Sequence, residues 1–260
     1  MADSTMDTLA NQRNTVRKLH HALNYFFAIA VFIAGAFFVA VRQPRSLDFS
    51  GIIARSGIIR AAFFTTVQVS FIALVGSVTL GLVFYFFSIS KSGFLKAFTN
   101  VFTEVIYGTP LLVMIFMMGY PVRASLNIAT SPTMGLVGLT IYITPYMTNI
   151  FKAAFSSIPE EQYMAMELFG FNAFQRYRYI IIPQVIRVLT APLMNNFSLI
   201  IKGSALLNIV ATREIYYELF SWRQFTGRSF EAFVVMWGLY LAITLPLSQL
   251  TKYIERRWSR

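Results

Sequence analysis

The 260-residue chain contains no cysteine. That excludes a disulfide framework, thiolate metal ligands and thiol chemistry. Charge is also scarce, at 13% of residues, where a soluble domain carries about 25%. The two histidines, His20 and His21, are adjacent in a basic segment ahead of an apolar run, with no second ligand cluster. They read as a solvated or headgroup-facing pair rather than as metal ligands. No Gly-x-x-x-x-Gly-Lys-[Ser/Thr] phosphate loop is present, so the chain cannot cradle ATP in that way. Acids are few as well: 11 against 22 Lys and Arg, a formal net charge of +11.

What is abundant is apolar surface, 56% hydrophobic residues with 26 Phe. This is the composition of an integral membrane protein with several spans. The basic residues lie mostly between apolar segments, where positive-inside topology and lipid headgroups account for them better than nucleic acid does. Residues 1–23 are polar and basic, with Arg13, Arg17 and Lys18, and lack the short apolar core and cleavage site of a signal peptide. Six stretches are predicted to span as helices: 24–41, 61–88, 97–118, 134–152, 184–208 and 230–250. An even count and a basic tail (Lys252, Arg256, Arg257, Arg260) place both termini in the cytoplasm. The loop 42–60, with Arg42, Arg45, Arg55 and Arg60, then falls outside, and only the Lys/Arg totals favour the assignment. Residues 120–133 are expected to be a short outer loop and 211–229 to hold a short interfacial helix. Asn196-Phe197-Ser198 matches a glycosylation sequon but lies inside a span, so it is set aside.

The longest polar interruption between apolar segments is 156–183, SSIPEEQYMAMELFGFNAFQRYRYIIIP. It is predicted to form two short helices separated by a glycine. Ser157 with Glu160 makes a capping box, Pro159 suits a first turn, and Glu160 and Glu161 suit the positive end of the helix dipole. At 100° per residue Glu160, Met164 and Glu167 share one face, with Ala165, Met166 and Phe169 opposite. Gly170 is placed as a C-cap, Asn172 with Gln175 starts the second helix, and Pro183 ends or kinks it. By itself the stretch also fits an ordinary interfacial amphipathic hairpin.

The order Q-Y-M-A-M-E-L-F-G at 162–170, then F-x-x-x-R-Y-x-x-I-I-P, resembles the EAA loop of ABC importer permeases. Ala165, Gly170 and Pro183 match that pattern, and Gln162 and Tyr163 suit its amino-acid-uptake branch. Met164 stands where the family has Glu, and Met166 replaces the second Ala. F-T-E-V-I-Y-G-T-P-L-L-V resembles the family's Glu-x-x-Arg-Gly-Thr-Pro-Leu-Leu signature, with Tyr107 in place of Arg. T-P-Y-M-T-N-I-F-K resembles Ala-Tyr-x-x-Glu-x-x-Arg: Tyr146 matches, Lys152 keeps a cation and Asn149 replaces the acid. A-P-L-M-N-N-F-S-L-I-I-K-G-S-A-L-L resembles Pro-Pro-Leu-x-Asn-Glu-x-x-x-x-x-Lys-Asp-Thr-Ser-Leu: Pro192, Leu193, Asn195, Lys202 and Leu206 match, while Asn196 and Gly203 replace Glu and Asp.

The resemblance implies an all-α integral membrane protein of the ABC type I importer permease fold, with about six transmembrane helices. Residues 1–60 would hold the basic segment, first span and outer loop, 61–252 the permease domain, and 253–260 a basic tail. Its function would be the permease subunit of a bacterial importer for polar amino acids in the cytoplasmic membrane, not an enzyme. The chain would carry no cofactor of its own, with ATP and Mg on a partner ATPase dimer. A second permease subunit, identical or homologous, and an extracytoplasmic amino-acid-binding protein would complete the assembly. The ATPase-coupling residues would be Glu160, Tyr163, Ala165, Met166, Glu167, Phe169, Gly170 and Pro183, with Glu160 or Glu167 supplying the carboxylate absent at Met164. Asn149, Asn195, Asn196 and Lys202 are candidates for the substrate path. Each Asn is equally a helix–helix hydrogen-bonding residue, and Lys202 equally a snorkelling one. The competing readings are an ion-gradient-driven secondary transporter, which would favour buried acids or paired broken helices, and a non-transporting membrane scaffold.

Overall fold

The computed structural model describes residues 2–43, 45–128 and 130–258, and every regular element among them is helical. The chain divides into two units, Met1–Phe49 and Ser50–Arg260. The first holds α1 (Ala2–Val41), of which Leu23–Val41, 19 residues, is long and apolar enough to cross a membrane. At 1.5 Å per residue this is about 28 Å, close to the thickness of a hydrocarbon core. The second unit holds α2 (Ser50–Ala54), α3 (Ser56–Ile89), α4 (Gly93–Gly108), α5 (Leu111–Ser125), α6 (Ser131–Ser156), α7 (Glu160–Leu168), α8 (Ala173–Val210), α9 (Ile215–Thr226) and α10 (Ser229–Trp258).

Each of the six expected spans falls on helix, with two corrections. Among the described residues four helices, α1, α3, α8 and α10, are long and apolar enough to cross singly; α4 and α5 qualify only as a pair, bent by 107°. The stretch 97–118 is therefore two helices broken at Thr109 and Pro110, not one continuous helix. Thr109 and Pro110 are both extended, with ψ of 124° and 139°. Proline lacks the N–H that would continue the ladder, and it pushes the residue before it out of the helical region. After the break the chain stays helical to Ser125, through a π-helical stretch at Met118–Val122, so the first part of the expected outer loop is helix. The fourth expected span becomes α6, 26 residues and about 39 Å long. It is packed inside the protein: Met134, Leu139, Ile143, Met147, Phe151 and Ala154 are all buried.

α3 and α6 cross closely because α3 presents small residues. Ala62, Thr66, Ser70, Ala73, Ser77 and Gly81 recur at three- and four-residue spacing and are all buried. Water-driven burial is absent between helices in lipid, so close backbone approach and interhelical hydrogen bonds supply the attraction. A Cβ on Gly81 would lie 2.4 Å from Met147 Cβ, and one on Gly76 2.8 Å from Thr140 Cγ2. At the same crossing the Thr148 hydroxyl donates to the Gly81 carbonyl at 3.3 Å.

A second fastening lies where α8 ends and α9 begins. Glu214 caps α9 by accepting from the Tyr217 backbone N–H at 2.9 Å, and it is fully buried. Its other oxygen accepts from Tyr240 Oη of α10 at 2.6 Å and from Thr66 Oγ1 of α3 at 3.3 Å. Thr66 Oγ1 in turn accepts from the Ile215 N–H at 3.1 Å. One carboxyl thus joins three helices. Burial pushes it above the usual carboxylate range, against the downward pull of the hydrogen bonds from Tyr240, the α9 backbone and Thr66.

Two outcomes follow. Gly81→Leu is expected to cost roughly 1–3 kcal/mol or more through overpacking, read as a lower thermal midpoint in detergent, while Gly93→Ala, with nothing within 4 Å of its added Cβ, leaves the midpoint unchanged. The folded chain holds the Glu214 proton more tightly than the unfolded chain does, so its contribution is complete below the ordinary carboxylate pKa and fades as pH rises through the elevated value. The wild-type midpoint is expected to fall with rising pH across that window, and Glu214→Gln to flatten the slope.

Candidate functional site

The loop between α6 and α8 is a rigid bracket. The expected Ser157 capping box does not form: Ser157 Oγ donates back to the Ala154 carbonyl at 2.7 Å, and Pro159, extended at ψ 146°, is the residue that precedes the helix. Proline there has no N–H to leave unsatisfied. The far end follows the glycine expectation. Gly170 has φ +68°; its N–H donates to the Glu167 carbonyl at 2.9 Å, and the Phe171 N–H to the Met166 carbonyl at 3.0 Å. This pair of bonds is the Schellman motif, which needs a left-handed residue after the cap. Asn172 and Gln175 then form the expected capping box, each side chain accepting from the other's backbone N–H at 2.9 Å. Arg176 Nε closes the turn by donating to the Phe171 carbonyl at 2.7 Å.

α7 has a buried side and a presented side, and they divide its residues differently from the sequence-derived faces. Met166 is 3% exposed and packs with Phe151, Ala154, Ile158, Ile181 and Val185. It therefore points into the helix bundle, not outward beside Ala165 and Phe169. Gln162 Oε1 accepts from Gln184 Nε2 at 2.9 Å, which ties α7 to α8. Tyr163 is half-buried, and burial, with Tyr177 nearby, pushes its phenol above the ordinary value, so it stays a neutral donor. Glu160, Glu161, Met164, Ala165, Glu167, Leu168 and Phe169 are exposed, Leu168 and Phe169 at 88% and 82%. Leu168, absent from the residues expected to couple, is a prominent presented residue. Its signal was there: Glu161, Met164, Ala165 and Leu168 follow i, i+3, i+4, i+7 spacing.

Pro183 neither ends nor breaks a helix. α8 runs from Ala173 to Val210 straight through it, after a π-helical stretch at Arg176–Ile181. The wider π turn takes up the lost N–H and the clash that proline brings to the turn before it.

The candidate path residues lie apart from this bracket. Asn149 of α6 is exposed, and its Nδ2 donates to Tyr107 Oη of α4 at 2.7 Å. Tyr107 meets the Tyr146 ring edge-on with centroids 5.0 Å apart, and Tyr142 follows at 5.9 Å from Tyr146. Two positions where the chain departs from the permease pattern, Tyr107 and Asn149, are thus partners, a link that linear motifs cannot show. Asn196 Nδ2 donates to the Pro192 carbonyl of its own helix at 3.1 Å, while Asn195 and Lys202 are exposed. Among the described residues no hydrogen bond joins Asn195, Asn196 or Lys202 to Asn149.

Three kinds of likeness bear on these elements. Residues 77–260 match the family "Binding-protein-dependent transport system inner membrane component". The chain is 31% identical over 197 residues, 75% of its length and 90% of the relative's, to the "Probable glutamine ABC transporter permease protein GlnM" of Bacillus subtilis. It is 25% identical over 215 residues, 78% of its length and 94% of the relative's, to the "Histidine/lysine/arginine/ornithine transport system permease protein HisQ" of Salmonella typhimurium. A solved structure described as "Crystal structure of an amino acid ABC transporter with histidines" superposes with a TM-score of 0.74 at 26% identity, covering 82% of this chain and all of that one. The chain is a member of the binding-protein-dependent transport system inner membrane component family.

Proposed function

We propose that the chain is one permease subunit of an ABC importer for polar amino acids, with the α7 bracket as the element that receives motion from a separate ATPase. The observation that carries the reading is the bracket itself. α7 is capped by a Schellman turn, locked to α8 by Gln162–Gln184, and pinned by Met166 to the inner ends of α3, α6 and α8. Force applied to its exposed face passes directly into the long helices. The docking face is Glu161, Met164, Ala165 and Leu168 with Phe169, flanked by Glu160 and Glu167 at about 100° per residue. Met166 and Tyr163 act from behind it.

The amino-acid assignment is supported by the relatives' printed substrates and by the Gly-Thr-Pro signature at the α4–α5 bend. The partner set is supported by the family's description as an inner membrane component of a binding-protein-dependent system and by relatives described as ABC transporter and transport-system permease proteins. The set is an extracytoplasmic binding protein, a second permease subunit and an ATPase dimer that binds ATP and Mg. Both termini are cytoplasmic in this arrangement. Asn149 stays a candidate for the substrate path through its exposure, while its hydrogen bond to Tyr107 is the contact of a helix–helix bonding residue.

The test is Gly170→Val. A left-handed backbone costs a branched residue about 1–2 kcal/mol, and it loosens the turn without touching the spans. Uptake is expected to fall while the complex still assembles with its ATPase, and hydrolysis to lose its response to substrate. Unchanged uptake in Gly170→Val, Glu160→Ala and Leu168→Ala together would remove the coupling role. For orientation, reporter fusions at residue 125 and at the C-terminus are expected on opposite sides of the membrane; the same side would overturn the topology.

A further inference from the structure

α9 is strung between two left-handed residues, Ala211 before it at φ +58° and Gly227 after it at φ +69°. Ala211 closes α8 in a Schellman pattern: its N–H donates to the Asn208 carbonyl at 3.0 Å, and the Thr212 N–H to the Leu207 carbonyl at 3.2 Å. Glycine is the usual residue there, and alanine carries the penalty of a Cβ in left-handed backbone. A tight reversal follows each of the two residues. The Glu214 N–H donates to the Thr212 carbonyl at 2.9 Å, and the Ser229 N–H to the Gly227 carbonyl at 3.1 Å. Between two such corners a helix can swing as one piece, because only a few terminal dihedrals have to change. Inside the first corner the Thr212 hydroxyl is buried with no hydrogen-bond partner among the described residues. The closed corner is thus both strained and incompletely satisfied.

The apolar side of α9, Ile215, Leu219 and Trp222, is buried, and its first turn is held through Glu214. Facing that carboxyl are the Tyr240 phenol of α10, the Thr66 hydroxyl of α3 and the N–H groups of Tyr216 and Tyr217. Charged side chains nearby are turned elsewhere. Arg213 pairs with Glu218 at 2.6 Å, Arg228 with Glu231 at 2.9 Å, and Arg223 lies against Phe220, Phe233 and Ser229 Oγ. Arg60 of α3 and Lys202 of α8 are exposed. The catch sits near the start of α3, whereas the cluster behind α7 takes Tyr85 near its end. We infer that α9 is a strap at the end of the bundle away from α7, pivoting on Ala211 and Gly227, with Glu214 as a catch set by a proton. Closed, the carboxyl is dry and keeps its proton. Thr66 Oγ1 then gives its own hydrogen to the Ala62 carbonyl, 3.0 Å away, and accepts from Glu214. Swung out, the carboxyl meets water and ionises, so lifting the strap releases one proton. Opening therefore gains up to about tenfold per pH unit between the ordinary carboxylate pKa and the value raised by burial, and is flat outside that window. Glu214 is a positioning residue that acts through α9. The strap stands on this geometry alone; its part in substrate entry rests on the importer reading above, and the labelling below is read without transport.

The chain has no cysteine, so single thiols report the strap in the full chain in native membranes with its partner subunits. Leu219→Cys lies on the hidden side of α9, 1% exposed, and Phe225→Cys on the same helix, 85% exposed. The ratio of their maleimide labelling rates cancels the thiol's own ionisation at each pH. That ratio is expected to climb with pH, by up to about tenfold per unit, from the ordinary carboxylate range to a plateau. Glu214→Gln cannot ionise and is expected to give a flat, low ratio. Glu214→Ala, which removes the catch, is expected to give a flat, high one. Ala73→Cys, fully buried between α3 and its neighbours, is expected to stay unlabelled throughout. A ratio independent of pH, or the same slope in Glu214→Gln, overturns the catch. Labelling of Ala73→Cys in step with Leu219→Cys means that the whole bundle opens, and overturns the strap. Should Leu219→Cys loosen α9 by itself, hydrogen exchange at the Ile215 and Tyr217 amides reads the same opening with the native leucine in place. An exchange profile in wild type that Glu214→Gln leaves unaltered contradicts the inference equally.

Discussion

The close crossing of α3 and α6 is the contact on which the remaining architecture depends. In lipid there is no water to expel from between helices, so association rests on how near two backbones can come. The buried row of small residues on α3 lets α6 approach until only a hydrogen fits at Gly81. That approach makes α6 the central helix, and α6 leads through Ile158 directly into α7. Met166 of α7 then packs on Phe151 and Ala154 of α6 in the cluster that also holds Tyr85 of α3. The bracket therefore rests on the end of the α3–α6 crossing.

Much of this was legible in linear sequence because membrane chemistry is restrictive. All backbone groups must be paired inside the hydrocarbon, so apolar length alone located α1, α3, α8 and α10. Gly170 was legible because a short helix must end somewhere, and only glycine takes φ +68° without penalty. Asn172 and Gln175 were legible because their reciprocal bonds are local. The Ser157 cap failed because Pro159 already supplies a residue with no N–H at that turn, and the serine hydroxyl found the Ala154 carbonyl instead. Pro183 failed as a helix end because a π stretch ahead of it absorbed the defect, an adjustment without a short-range sequence signature.

Tertiary partners were the illegible part. Met166 and Phe169 sit on the same side of an ideal helical wheel, yet α6 and α8 cover the first and leave the second bare. Glu214 read as one acid in an outer segment; its meaning comes from Thr66 and Tyr240, far away in sequence. Tyr107 and Asn149 were each visible as a departure from the permease pattern, but their pairing was not. The Tyr107–Asn149 contact is an electrically neutral link between α4 and α6.

The presented face of α7 is directly measurable because the chain contains no cysteine. Single cysteines introduced by Leu168→Cys, Met164→Cys and Met166→Cys can each be tested for cross-linking to the ATPase subunit in membranes, with and without ATP. Efficient cross-links that change with nucleotide are expected from Leu168→Cys and Met164→Cys, and none from the buried position of Met166→Cys. Cross-links from Met166→Cys alone, or none from any of the three, would contradict this presented face of α7.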